Sequence, residues 1–143
     1  RKASLCAPLR RIWRFYMEKA HFEQAKLWLE GAKYVSNLGE DREKYAVAIS
    51  MCIHCVLTAN DSLTMKFLGM TAKRHDDARR LFEDMVKKSF IKAQYADYKQ
   101  IIQDAINNKA KAEYRGGFFS KGDYDSIRRD AEKFLKMAGE IFK

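Results

Sequence analysis

Residues 45–69 read YAVAISMCIHCVLTANDSLTMKFLG, and this stretch decides the fold. Tyr45, Ile49, Cys52, Val56, Ala59 and Leu63 recur at helical spacing, and Ala46, Ala48, Ile53 and Cys55 widen the stripe. A helix apolar over so much of its surface belongs at the centre of a bundle. Its alanines let neighbours approach closely. Asp41 is the expected N-cap, the helix runs from about Arg42 to Leu68, and Gly69 closes it.

Outward from this helix the same period recurs. Ala25, Trp28, Leu29, Ala32 and Val35 form one stripe on a helix expected over residues 19–38. Before it, Leu9, Ile12, Trp13, Tyr16 and Ala20 keep helical spacing after Pro8, with Arg10, Arg11 and Arg14 on the other side. Residues 1–18 read as an extension, either a separate leading helix or the front of the next one, and its arginines as a basic arm or a solvated face. His75-Asp76-Asp77 opens a third helix, with acids in the first turn as the helix dipole prefers, and Lys87-Lys88 ends it. A fourth helix is expected from Phe90 to Glu113, with Ile91, Tyr95, Tyr98, Ile102 and Ala105 on one face. Four residues further along that face lies Lys109. Gly116-Gly117 breaks this helix. Ser120 with Asp123 fits a capping pattern, and Tyr124, Ile127, Ala131, Phe134, Leu135, Ala138 and Ile141 carry the fifth helix to about Phe142. The expected fold is all-α: an up-and-down bundle of about five helices over residues 19–143, in one domain with no internal repeat.

The formal charge is +9, from 28 basic and 19 acidic residues. Such a surface suits nucleic acid or an acidic partner. Three cysteines, Cys6, Cys52 and Cys55, make no disulfide framework, which favours a reducing, cytoplasmic setting. No uninterrupted apolar run approaches the roughly 18 residues of a membrane span, so no membrane contact is expected. The basic start, RKASLCAPLRRIW, lacks the long apolar region of a secretory signal.

Few patterns carry chemistry. Cys52, His54 and Cys55 resemble a partial metal set, but on a helix the two cysteines share a face and His54 points elsewhere. They read as small core residues, and no metal or cofactor is expected. No G-x-S-x-G or phosphate-binding glycine loop occurs. Asp61 is the one acid in the middle of the second helix. It either faces a polar cleft and holds a cation from the fourth helix, or lies exposed near a bend. Around the glycine pair, Lys109, Lys111, Arg115, Lys121, Arg128 and Arg129 interleave with Tyr114, Phe118, Phe119 and Tyr124. Cations for phosphates and aromatics for stacking suit single-stranded RNA; core packing of those aromatics is the competing explanation.

Three segments together resemble a known family: AVAISMCIHCVLTANDSLTMKFLG, RHDDARRLF, and NNKAKAEYRGGFFSKGDYDSIRRDAEKFLKMAGEIF. They are similar to the alanine-rich helix, the H-x-x-A-x-x-L start and the K-x-x-A-E-Y region of HEPN domains. That resemblance implies a homodimeric helical bundle. Many members are metal-independent ribonucleases with an Arg-x4–6-His motif ending the penultimate long helix. Others are non-catalytic, and bind nucleotides, RNA, or a nucleotidyltransferase in toxin–antitoxin-like pairs. Lys109 and Tyr114 stand where the motif would be. Lysine lacks the planar fork of arginine, and tyrosine is a poor base near neutral pH. No catalytic residue is therefore assigned, and the expectation is a binding module. Lys109 would hold phosphate, Tyr114 would stack and Arg115 would contact the backbone, with Glu113 beside them and Asp61 as a polar neighbour.

Overall fold

The computed structural model describes residues 6–113 and 117–143. They form an all-α bundle of five α-helices: α1 (Ala7–Ser36), α2 (Glu43–Leu68), α3 (His75–Lys87), α4 (Lys99–Glu113) and α5 (Lys121–Ile141). A 3-10 segment, Ala93–Tyr98, precedes α4. No strand occurs among the described residues.

Helix α2 packs against all four other helices, as its wide apolar surface requires. Ile49, Cys52, Ile53, Cys55 and Leu63 are buried, joined by Phe82 of α3, Ile102 of α4 and Phe134 of α5. The Phe82 and Phe134 rings meet with centroids 5.7 Å apart. Over its most apolar 18 residues α2 has a mean hydropathy of 1.4, so by length and composition it could cross a membrane. This corrects the reading that no segment approaches a span. However, 61% of that window is buried inside the bundle.

Helix α1 is unbroken from Ala7, so residues 7–18 are the front of the same helix that was expected over 19–38. Pro8 sits in its first turn, where a missing N–H costs nothing. It runs antiparallel to α2: Arg14 reaches Met65, and Gly31 lies beside Met51. Ala25, Leu29 and Ala32 face the core. Leu9, Ile12, Tyr16, Leu27 and Tyr34 are exposed. By helical periodicity they lie on the opposite side, so α1 is apolar on two faces.

Two boundaries differ from expectation. Arg42, not Asp41, is the N-cap of α2, and no side chain caps that end. Residues 90–98 are not continuous α-helix. Ser89 takes φ 63°, and the N–H groups of Phe90 and Ile91 both donate to the Met85 carbonyl, closing α3. The Ser120 expectation holds. Its hydroxyl accepts from the Asp123 N–H at 3.0 Å, and the Asp123 carboxylate accepts from the Ser120 N–H at 2.9 Å.

Asn60 is the buried polar anchor between α2 and α3. Its Nδ2 donates to the Ala78 carbonyl at 3.1 Å, while its Oδ1 has no partner among the described residues.

Candidate functional site

The last turns of α4 carry Lys109 and Glu113, four residues apart on one helix face. The Lys109 Nζ donates to Glu113 Oε2 at 2.7 Å. The other Glu113 oxygen, Oε1, lies 2.9 Å from His54 Nε2 on α2. The His54 ring stacks on Trp28 of α1, with centroids 4.7 Å apart. A chain of four side chains thus links three helices. Lys109 and Glu113 are 13% and 16% exposed, little enough for the pairing to be felt. Burial works against the charge on Glu113, but the hydrogen bonds and charges of Lys109 and His54 outweigh it and hold the carboxyl below its usual range.

His54 therefore lies beside the end of α4, although no histidine is near it in sequence. The side of α2 away from Cys52 and Cys55, where the helical spacing puts His54, is the side that meets Glu113. Cys52 and Cys55 are buried core residues, and burial pushes both thiols up to about 12, which disfavours the reactive thiolate.

Lys109 also lines an open cleft of about 370 Å³ with His75 and Asp76 at the start of α3 and Ile106 and Ala110 of α4. His75 is exposed there. Lysine, histidine and an apolar floor could hold a phosphate beside a base or sugar, but Asp76 and Glu113 both oppose an anion at close range.

The rest of the expected cluster does not converge. Tyr114 and Arg115 lie outside the described residues. Of the two explanations offered for the aromatics, core packing holds for Phe119 and Tyr124, which are buried core rings; Phe118 stays exposed, under the Arg42 guanidinium. Lys121 pairs with Asp125 at 3.0 Å, and Arg128 pairs with Glu132. The Lys111 ammonium sits 4.4 Å from the Phe119 ring centroid. Gly117 is required by close approach: a Cβ there would stand 2.2 Å from Lys111 Cγ and 2.8 Å from its carbonyl oxygen.

Asp61 does not hold a cation from α4. It is half-buried and accepts from the Ala72 backbone N–H, and among the described residues no ion pair reaches it. Burial raises its carboxyl to about 6, against the smaller lowering by that hydrogen bond.

No model of a known protein family matches the chain, and no curated protein does.

Proposed function

We propose that the chain is a non-catalytic nucleotide- or RNA-binding module of the HEPN kind, working in the cytoplasm as a homodimer. The observation that carries this reading is Lys109: a lysine fixed by Glu113 at the lip of an open cleft, with exposed His75 across from it. On a chain of formal charge +9, that cleft offers a preorganised cation where a phosphate can approach from solvent. Tyr114 and Arg115 follow directly in the chain and would extend the contact along the nucleic acid.

The test is binding of single-stranded RNA by wild type, Lys109→Ala and the charge-keeping Lys109→Arg, over a salt series. Wild type should bind, with affinity falling steeply as salt rises. Lys109→Ala should weaken binding about tenfold, as loss of a charge-assisted contact does, and Lys109→Arg should restore most of it. Absence of binding by wild type at low salt would sink the reading.

Two rivals each have an observation behind them. A divergent metal-independent ribonuclease is favoured by His54, an imidazole oriented by a carboxylate beside the end of α4. It requires cleavage in the presence of chelator that is lost in both His54→Ala and Lys109→Ala. A protein-interaction subunit, paired with a nucleotidyltransferase, is favoured by the exposed apolar side of α1. It requires a partner that co-purifies with the chain, and no RNA binding.

A further inference from the structure

A cavity that the Lys109 site leaves unused lies where the front of α1 meets the end of α2. Arg10, Arg11, Trp13 and Arg14 line a cavity of about 390 Å³ with Met65 and Gly69 from the end of α2. The volume is in the range of small-molecule sites.

Arg14 is a built part of its wall. Its Nε donates to the Met65 carbonyl at 2.8 Å and its Nη2 to the Lys66 carbonyl at 2.5 Å. These are carbonyls of the last turn of α2, where the helix dipole favours a cation. Gly69 lets the guanidinium come this close. It has φ 70°, and a Cβ on it would stand 3.2 Å from Arg14 Nη1. Arg14 Nη1 has no hydrogen-bond partner among the described residues. The guanidinium is thus fixed in place with donors to spare.

Arg10 and Arg11 are exposed and meet no carboxylate among the described residues. They sit in the first turns of α1, which hold no acid in the first turn to offset them. Cations at a helix N-terminus oppose the dipole, so this arrangement costs stability as it stands. Lys121 and Arg128, by contrast, each have an acid four residues on. An anion between the arginines would remove the cost, and guanidinium forks match phosphate oxygens. Trp13 and Met65 give the same cavity an apolar wall.

We propose that this cavity binds a small phosphomonoester with a flat, apolar body. The phosphate lies among Arg10, Arg11 and Arg14, and the body lies against Trp13 and Met65. This site is separate from the Lys109 cleft and does not depend on how that cleft is read.

The probe is adenosine monophosphate, titrated at fixed ionic strength into the full chain carrying Trp28→Phe, so that Trp13 is the only tryptophan reporting. A saturable change in Trp13 emission is expected. Inorganic phosphate and adenosine should each bind about tenfold or more weakly, because each lacks half of the contacts. Arg10→Ala/Arg11→Ala should weaken the nucleotide about tenfold or more. Lys87→Ala/Lys88→Ala removes the same formal charge elsewhere and should leave it unchanged. Both arginines are exposed, and circular dichroism of the double variant verifies the fold. The proposal is overturned by no saturable change at millimolar nucleotide, by equal losses in the two double variants, or by equal affinity for nucleotide and inorganic phosphate.

Discussion

His54 and Asp61 stand seven residues apart on α2, two helical turns along the same face, and the bundle treats them in opposite ways. His54 finds a carboxylate at 2.9 Å and an indole to stack on. Asp61 finds one backbone N–H and, among the described residues, no counter-charge. The two positions show that burial alone does not decide what a polar group contributes; the partner does. At the His54 end the fold holds the Glu113 carboxyl below its usual range, so that end favours ionisation. At the Asp61 end burial pushes a carboxyl up to about 6, so that end resists it. Their pH dependences must therefore have opposite signs. The Glu113 contribution is present above the ordinary carboxyl range and is lost as pH falls through its lowered folded value. The Asp61 contribution runs the other way: below about 4 both states are protonated, and stability is lost as pH rises from about 4 to about 6.

The largest expected effect breaks the favourable end. Glu113→Gln should cost about 2 kcal/mol at neutral pH, since it leaves the Lys109 ammonium without its carboxylate in a mostly buried place. Denaturant melts at several pH values should show that cost vanish in acid. A cost independent of pH would mean that packing, not charge, holds the end of α4. Next, Asp61→Asn should stabilise the protein by about 1–2 kcal/mol at pH 7, because an amide keeps the Ala72 hydrogen bond without a charge to desolvate. The same variant should flatten the fall in stability between about pH 4 and 6, and an unchanged slope would place the titration elsewhere.

Gly117→Ala should cost about 1–2 kcal/mol, because the Lys111 backbone must shift to admit the methyl. Since Lys111 precedes Glu113 by two residues, its melts should also lose part of the Glu113 pH dependence; an intact dependence would show that α4 ends independently of the loop. The smallest effect is at the next helix. Ser120→Ala removes one half of the α5 capping box and should cost about 1 kcal/mol, leaving both pH dependences alone.

The bundle was legible wherever one local signal sufficed. The apolar width of residues 45–69 marked α2 as central, acids at Asp76-Asp77 marked the start of α3, and Ser120 with Asp123 marked α5. The start of α4 was not legible. Ile91, Tyr95, Tyr98 and Ile102 keep helical spacing through a segment that is not α-helix, and the break is Ser89 at positive φ rather than a glycine. The candidate site was half legible. The i,i+4 pair Lys109–Glu113 can be read from spacing, but its junction with His54 joins residues far apart in the chain and exists only once α2 and α4 are packed. A lone histidine off the cysteine face of a core helix was the available signal. The same limit applied to Asp61, whose partner lies in the connection after α2, not on α4.

Asn60 has a consequence for alignment. A buried amide satisfied on only one side weakens the bundle, yet of all the ways α3 could slide along α2, only one brings the Ala78 carbonyl to its Nδ2. It acts as a key in a lock between the two helices. Ala78 lies one turn beyond His75, so the same engagement that selects the register of α3 also sets which residue faces Lys109 across the cleft. An apolar residue of similar size at position 60 could make a tougher protein, and one whose cleft no longer has a single arrangement of side chains.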